Sequence, residues 1–453
     1  GDQVDVLDVQ GVVEKVGLRV TCVRDKKGTL WYLRNGEILK VGNQSLENMD
    51  KDQLSQMLKG APNTSLDISV LRQGDVIKKT VITEKIERNP VPFYDLIDLE
   101  TGYIVLTRFN QKASSEVKKA FLDLKKRGMK KLIFDLRNNP GGSLGEAINI
   151  SNFFLPKGSK ITSTKAKVRK WSTTYNASNI PLDLEIPLTI LINESSASAS
   201  EIVAGALQDY DRAVILGERS FGKGLVQRYR KLSYGTQLKL TISKYYTPSG
   251  RCIQELDYAN RDIEGVVPKF SDGTVTSFKT KNGRVVFDGG GITPDVAVGF
   301  SKINESTKEL LKSRAIFNFT TDFFHKNPTI SSITNFSFSS SNFKSFLNYI
   351  KISDTTFKTS QERLFLDAYK LSSDTALISN EYQEIKKKLL QLKIDNILKD
   401  QDFISDQIID NILIRYYYRK GTYQKKIKKD KVLLEAFKIL KNKPQYTKIL
   451  NGA

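Results

Sequence analysis

One short segment of the sequence places a serine where a nucleophile could act. Residues 195–201 read Ser-Ser-Ala-Ser-Ala-Ser-Glu and follow an apolar run, 188–192, that predicts a buried strand. We expect a helix to begin at Ala199, so that Ser198 lies at a strand-to-helix turn. A side chain at such a turn is exposed, and nearby backbone N–H groups point toward developing negative charge. Small residues also start ordinary helices, so this segment alone does not identify a nucleophile.

A serine nucleophile needs a base, and the sequence offers a lysine in an unusual setting. Residues 217–227 read Gly-Glu-Arg-Ser-Phe-Gly-Lys-Gly-Leu-Val-Gln, with Lys223 between two glycines. A phosphate-binding Walker A loop would need Ser or Thr after the lysine, where Gly224 stands. The single histidine, His325, lies in the distant tail, so a Ser-His-Asp triad is disfavoured and a Ser-Lys pair stays open.

The use of a lysine as a base places a demand on its surroundings. A lysine accepts a proton only when neutral, which requires a pKa well below the ordinary value of about 10.4. Burial in apolar surroundings disfavours the charged form. The apolar neighbours Phe221, Leu225 and Val226 are expected to supply that burial. The uncharged Gln227 can hold the amine without favouring its ammonium form.

A third segment could supply hydrogen-bond donors for a reacting oxygen. Residues 135–142 read Asp-Leu-Arg-Asn-Asn-Pro-Gly-Gly and come at the end of another apolar run, 131–136. Glycines allow a backbone N–H to approach a ligand closely. The N–H of Ala199 and one N–H from Gly141 or Gly142 are therefore the expected donors of an oxyanion hole.

Taken together and in this order, the segments resemble the carboxyl-terminal-processing (tail-specific) serine proteases of peptidase family S41. That family carries D-L-R-x-N-x-G-G, then S-A-S-A-S-E, then G-x-x-x-F-G-K-G-x-V-Q, and the likeness covers about residues 36–300. The resemblance implies Ser198 as nucleophile and Lys223, 25 residues later, as general base. It also implies that Gln227 orients the lysine and that the core has a crotonase-like fold.

The family pattern begins with a PDZ domain, and residues 36–71 resemble the later half of one. Residues 36–43 predict a strand and tight turn, residues 50–59 a short helix, and residues 66–70 an alternating strand. Earlier residues depart from the pattern, with 17–20 as the candidate carboxylate-binding loop. A complete groove would capture the C-terminus of an extended chain, whereas an incomplete one would act as a gate or spacer.

The remainder of the chain predicts an α/β multidomain protein. After a linker at 89–92, strand and helix patterns alternate between residues 103 and 216, which favours parallel strands. One predicted helix spans residues 113–127, another 199–208. Strands are predicted at 103–109, 131–136, 188–192 and 213–216.

From about residue 300 the pattern becomes helical. Ile404, Ile408 and Ile412 recur in steps of four, and Gly421 stands at an expected helix end. We therefore predict a PDZ-like domain with an atypical first half at 1–87, an S41 peptidase core at 88–300 and a helical C-terminal extension at 301–453.

Composition excludes several other classes of protein. The chain has 453 residues, 39% of them apolar, and no apolar run reaches the roughly 18 residues that a membrane span needs. Cys22 and Cys252 are expected to be free thiols, although a single bridge stays open. With one histidine and two cysteines the sequence predicts neither a metal site nor another cofactor.

The net charge of +21 is the main compositional anomaly. A basic excess can serve nucleic acid or anionic lipid. Because no nucleic-acid-binding motif accompanies the lysines, we interpret them as a solvated surface and expect no nucleic-acid partner. An association with a membrane or with the cell envelope is left open, and the oligomeric state is not predicted.

The resemblance also implies partners, a location and rival functions. Substrates would be unfolded or tagged proteins that are recognised and cut near their C-termini. The location would be the bacterial cell envelope, periplasmic or otherwise extracytoplasmic. One alternative is a catalytically inactive, peptide-binding member of the same fold that acts as an envelope scaffold. Acyl-CoA chemistry is a second, suggested by the crotonase-like fold alone.

Overall fold

The computed structural model describes most of the chain. The described residues are 3–6, 9–16, 20–25, 29–34, 41–43, 58, 60–72, 75–86, 88–233, 236–261, 267–269, 275–299, 303–352, 357–371 and 379–452. They belong to two compact units, Gly1–Arg88 and Asn89–Ala453.

The described part of the first unit consists mainly of antiparallel strands. Its strands are β1 (Gln3–Val6), β2 (Val9–Val16), β3 (Val20–Asp25), β4 (Leu30–Arg34), β5 (Val41–Asn43), β6 (Ser65–Arg72) and β7 (Asp75–Ile82). Strands β1 to β5 form one sheet in the order β4-β3-β2-β1-β5, and β6 pairs with β7.

Only part of the predicted PDZ-like pattern can be compared with this unit. Strand β6 confirms the alternating strand, because Leu66, Ile68 and Val70 are half-buried between exposed neighbours. The predicted helix over 50–59, apart from Leu58, lies outside the described residues, as do residues 36–40 of the predicted strand. The PDZ-like interpretation therefore stays a prediction.

The described part of the second unit contains two larger sheets and a short hairpin. Its strands are β8 (Phe93–Leu96), β9 (Thr101–Val105), β10 (Lys131–Asp135), β11 (Lys160–Lys165), β12 (Thr173–Asn176), β13 (Leu188–Ile192), β14 (Val214–Gly217), β15 (Leu225–Lys231), β16 (Gln237–Tyr246), β17 (Ser277–Lys279), β18 (Val285–Phe287) and β19 (Val296–Ala297). The central sheet has the order β19-β14-β13-β10-β9-β8 and is parallel except for β8. The second sheet, β12-β11-β16-β15, is antiparallel.

The described helices follow the strands in two groups. The first group accompanies the central sheet: α1 (Ala113–Lys126), α2 (Leu144–Asn152) and α3 (Ala199–Asp209). The second group makes up the tail: α4 (Glu305–Lys312), α5 (Ala315–Lys326), α6 (Ser340–Ile352), α7 (Ser360–Leu371), α8 (Ser379–Lys399), α9 (Gln401–Lys426), α10 (Lys431–Lys441) and α11 (Lys443–Leu450). The predicted α/β core and helical C-terminal region are confirmed.

Both faces of the central sheet are buried. Ile190, at the middle of β13, packs with residues of α1 to α3 in one apolar core. The next residue, Leu191, lies in a different core that contains Val432 and Leu433 of α10. Since successive side chains of a strand point to opposite faces, β13 is covered on both sides, as is typical of parallel sheets.

The helices of the tail therefore pack in two different places. Helices α4 to α6, α8 and α9 contribute to an apolar core of their own, which includes Phe346 and Ile408. Helices α10 and α11 instead pack on the central sheet, where the Tyr446 hydroxyl donates to the Leu188 carbonyl at 3.2 Å and accepts from the Leu188 N–H at 3.0 Å. The end of the chain thus completes the layer that supports the sheet.

The expected helix end at Gly421 is wrong. Helix α9 continues to Lys426, and its backbone is interrupted earlier, at Tyr418, where φ is 55° and ψ is −167°. A Cβ at position 421 would lie 2.6 Å from the Tyr417 Cβ. The glycine thus permits close packing beside the kink instead of ending the helix.

Two further expectations concern membrane spans and the cysteines. Among the described residues, no helix combines the length and the apolar composition needed to cross a bilayer. Cys22 and Cys252 are both free thiols.

Candidate active site

Ser198 lies between β13 and α3, at the strand-to-helix turn that the sequence predicts. It is the N-cap residue of α3 and has φ 55° and ψ −109°, in a region that non-glycine residues seldom adopt. Its side chain is half-buried, whereas Ala199 beside it is fully buried. Backbone strain of this kind persists where the surroundings enforce it, and it concentrates at functional sites.

The serines on either side of Ser198 hold the turn in place. The Ser196 hydroxyl donates to the Leu136 carbonyl at 2.8 Å and accepts from the Asn193 N–H at 3.0 Å. The Ser200 hydroxyl donates to the Asn139 carbonyl at 2.9 Å. Both hydroxyls are buried and bound to backbone, so Ser198 is the one of these three serines that a substrate could reach.

The glycine loop of residues 141–142 packs directly on this turn. Gly141 has φ +91°, and a Cβ there would lie 2.8 Å from the Ala199 nitrogen and 2.9 Å from the Ser198 Cβ. The Ala197 N–H donates to the Asn139 carbonyl at 3.0 Å, which joins the two segments on the other side. Residues separated by more than fifty positions in the sequence therefore meet around Ser198.

The three predicted oxyanion donors differ in their hydrogen bonding. The Gly141 N–H donates to the Asn139 side-chain oxygen at 2.9 Å and is therefore engaged. Within the described part of the chain, no acceptor is assigned to the N–H of Ala199 or of Gly142. These two amides, one from each segment, are the donors that remain available.

Glu201 joins the serine turn to the lysine segment. Its buried carboxylate accepts from the N–H of Ser198 at 2.7 Å and from the N–H of Lys223 at 2.9 Å. It also accepts from the Gly222 N–H at 2.7 Å and the Ser220 hydroxyl at 2.6 Å. Burial raises the pKa of Glu201 above its ordinary value, with the four donors acting in the opposite direction.

Sequence reasoning gave Glu201 no role. A glutamate three residues after a serine N-cap is a capping-box pattern, and that signal was present. Its bonds to residues 220–223 could not be read from the sequence, because they cross between two segments that only the folded chain brings together.

Lys223 has an anchored backbone and an exposed side chain. Its N–H is held by Glu201, but its side chain is exposed, and so is 47% of the neighbouring Phe221. Leu225 and Val226 are half-buried. The apolar cover expected around the lysine is therefore not formed. Although Ser198 and Lys223 both lie in the described part of the chain, no hydrogen bond joins their side chains there.

Gln227 lies on the edge strand β15, at an irregularity in its pairing with β16. Its side chain is exposed, and its amide nitrogen donates to the Thr241 hydroxyl at 3.5 Å, a long hydrogen bond. The structure thus brings the backbones of the predicted residues into one region. It does not join the side chains of the serine, the lysine and the glutamine.

Comparison with protein-family models finds a known family that this region resembles. Residues 100–268 match the model described as Peptidase family S41, and residues 306–440 match Probable PDZ-protease, C-terminal helical domain. Over residues 100–268 the chain is thus similar to peptidase family S41, as the sequence motifs implied. Residues 1–46 match a third model, Mechanosensitive ion channel, beta-domain, over a part of the chain that is rich in antiparallel strands.

Individual relatives carry protease names. The chain is 35% identical over 277 residues to a probable CtpA-like serine protease of Staphylococcus aureus, covering 60% of this chain and 55% of that relative. It is 34% identical over 226 residues to the carboxyl-terminal-processing protease of Synechocystis, covering 49% and 52%. The chain thus spans about half the length of the curated relatives it matches.

One solved structure, a photosystem II D1 C-terminal processing protease, is 24% identical to this chain. The match covers 66% of this chain and 73% of the solved chain, with a TM-score of 0.37.

Proposed function

We propose that the chain is a serine-type endopeptidase in which Ser198 is the nucleophile and Lys223 the general base. The observation that carries the proposal is the strained, half-buried Ser198 at the start of α3, with the glycine loop packed against it. The match of residues 100–268 to the Peptidase family S41 model and the names of the chain's relatives support the same reaction class. Gln227 is proposed to orient the lysine, and Ala199 and Gly142 to form the oxyanion hole.

The proposed reaction proceeds through an acyl-enzyme. Ser198 Oγ attacks the carbonyl carbon of a peptide bond while its proton passes to Lys223 Nζ. The N–H groups of Ala199 and Gly142 stabilise the resulting oxyanion. The carbon–nitrogen bond then breaks, the leaving amine takes the proton from Lys223, and the acyl group remains on Ser198 as an ester. A water molecule gives its proton to Lys223 and attacks the ester, and that proton returns to Ser198 Oγ as the acid departs.

The exposure of Lys223 places a condition on this reaction. An exposed lysine is stabilised as an ammonium ion by water, and only the neutral amine can accept the serine proton. We infer that a bound polypeptide covers Lys223 and Phe221 and removes that water. The lysine backbone would need little movement, because Glu201 already holds it beside the serine turn.

We further propose that the substrates are unfolded or C-terminally tagged proteins that are cut near their C-termini, in the bacterial cell envelope. An unfolded chain can enter a site as an extended strand, whereas a folded domain cannot present its end in this way. The Synechocystis relative is named a carboxyl-terminal-processing protease. The first unit would take part if it captures a terminal carboxylate.

Replacement of the proposed serine and lysine tests the catalytic assignment. We expect Ser198→Ala and Lys223→Ala each to lower the hydrolysis of casein at least about 10³-fold, with thermal unfolding unchanged. The matched control is Ser195→Ala, which removes an exposed hydroxyl three residues from Ser198 and should retain activity. Full activity in Ser198→Ala would end the assignment. A wild-type protein that cleaves no casein would favour the inactive scaffold.

A matched pair of peptides tests how substrates are recognised. Two identical peptides, one with a free C-terminal carboxylate and one with a C-terminal amide, are incubated with the wild-type protein. We expect faster cleavage of the free acid. Equal rates would show that a free C-terminal carboxylate is not recognised, and they would leave the proposed Ser-Lys chemistry unaffected.

A further inference from the structure

The glycine loop beside Ser198 is connected to the tail of the chain by a buried ion-pair network. The guanidinium of Arg137 donates to Asp135 through Nη2 at 2.6 Å and through Nε at 3.0 Å. Its Nη1 donates to Asp430 at 2.9 Å. The Tyr103 hydroxyl donates to Asp135 at 2.7 Å. The side chains of Arg137 and Asp430 are each 11% exposed, so water screens this network little.

Asp430 also begins helix α10. Its Oδ1 accepts from the N–H groups of Val432 at 3.0 Å and Leu433 at 3.1 Å, as an N-cap residue does. The carboxylate therefore lies between the arginine and the positive end of the helix dipole. Burial raises the pKa of Asp430, but Arg137 and the two N–H donors outweigh burial and hold that pKa below its ordinary range.

The backbone between Arg137 and Gly142 connects this ion-pair network to the candidate oxyanion hole. Arg137 precedes Gly142 by five residues. Next to Arg137, the Asn138 N–H donates to the Asn193 side-chain oxygen at 2.8 Å, and the Asn193 amide donates back to the Asn138 side-chain oxygen at 3.0 Å. Asn138 has φ 57°, so this short connection has little conformational freedom. A shift of Arg137 would therefore move Gly142 relative to Ser198.

We propose that Asp430, in the helical tail, is a positioning residue for the candidate active site and acts through Arg137. The inference rests on the proposed peptidase function. Without the negative charge of Asp430, the arginine and the start of α10 would face each other as two like charges in a buried setting. The loop would relax away from α10, and the Gly142 N–H would no longer point to the same oxygen atom as the Ala199 N–H.

The test is Asp430→Asn, which keeps a side-chain oxygen for the helix cap and removes the charge. We expect kcat for an unstructured substrate to fall between about 10-fold and about 10²-fold with KM within a factor of about two, because a displaced oxyanion donor acts on the transition state. Tyr446→Phe is the matched control. It removes the bonds to Leu188 and weakens the docking of the same tail without touching the loop, so kcat should be retained.

A double variant separates coupling through Arg137 from a general loss of stability. Asp430→Asn should cause no additional loss of kcat in an Arg137→Gln background, because both variants break the same connection. An equal loss of kcat in Tyr446→Phe, or unchanged kcat in Asp430→Asn, would overturn the proposal.

Amide hydrogen exchange tests the coupling independently of catalysis. We expect Asp430→Asn, made in the inactive Ser198→Ala background, to speed exchange in the peptide 137–143 while the Tyr446→Phe control leaves it unchanged. Unaltered exchange would overturn the proposal even if Arg137→Gln failed to fold. Faster exchange, together with a wild-type protein that cleaves no peptide, would support the coupling and reject the peptidase function.

Discussion

The candidate site has a serine half, formed by residues 135–142 and 195–201, and a lysine half, formed by residues 217–227. The two halves are built in different ways. Around Ser198, buried serines, a glycine loop and a strained turn are joined by short hydrogen bonds to backbone atoms. Around Lys223 only the backbone is anchored, through Glu201, and the side chains of Phe221 and Gln227 are exposed.

This difference follows from what each half must do. A nucleophile and an oxyanion hole work by being held in place before the reaction, since preorganised donors need no rearrangement when charge develops. A lysine base must lose water, and a surface that a polypeptide covers on binding can supply that change. Substitutions in the framework that holds Ser198 should therefore change stability and activity together, whereas substitutions in the lysine half should change activity alone.

The largest effect is expected from breaking the connection between the halves. In Glu201→Gln, one oxygen that accepts from two donors becomes an NH₂ group that faces N–H or O–H. We expect the free energy of unfolding to fall by about 4 kcal/mol and activity to be lost. Urea unfolding and casein hydrolysis measure the two.

Glu194→Gln is the matched control for that experiment, because Glu194 is an exposed glutamate on the same connection between β13 and α3. It should leave stability within about 0.5 kcal/mol of wild type. If Glu201→Gln were as stable and as active as the control, the carboxylate would not be what joins the two halves.

A smaller effect is expected from a change confined to the serine half. In Gly141→Ala, the new methyl would lie 2.6 Å from the Ala197 carbonyl oxygen and 2.8 Å from the Ala199 nitrogen. The matched control is Gly158→Ala, whose φ of +89° is close to the +91° of Gly141 but which has no neighbouring atom within 4 Å.

Both alanines face the backbone cost of a left-handed conformation, about 1 kcal/mol. The difference between the two variants therefore isolates the contact with the serine turn. We expect Gly141→Ala to be less stable than Gly158→Ala by about 2 kcal/mol, with activity lost only in the former. Equal stability of the two, measured by thermal unfolding, would show that the loop can move away from Ser198 without cost.

The sequence predicted the local elements of this architecture well. Val117, Ala120 and Leu124 recur at helical spacing, and the helix over 113–126 buries them as expected. The predicted strand 188–192 matches β13 at both ends. Such signals are local, because the periodicity of apolar residues reflects the side on which a single element is buried.

What the sequence could not predict depends on contacts between distant segments. The four donors around Glu201, the packing of Gly141 on the serine turn and the pairing of Asp430 with Arg137 all join residues that no periodicity relates. The docking of α10 on the sheet was missed for a similar reason. Its apolar face looks the same whether it packs on other tail helices or on a sheet.

The smallest effect on stability is expected in the lysine half, where Gln227 provides the clearest case. Its side chain is exposed, and its one described bond is the 3.5 Å contact with Thr241. We expect Gln227→Ala to change the free energy of unfolding by less than about 0.5 kcal/mol. If Gln227 orients the lysine, activity should nevertheless fall about 10-fold.

Thr241→Val separates the two roles that Gln227 could have. It removes the hydroxyl that accepts the glutamine hydrogen bond and leaves the glutamine itself in place. Activity should then be retained or rise, because the freed amide can turn to the lysine. Loss of activity in Thr241→Val equal to that in Gln227→Ala would mean that the glutamine acts by bracing β15 against β16. The lysine half would in that case depend on a fixed framework in the same way as the serine half, and the distinction between the two would fail.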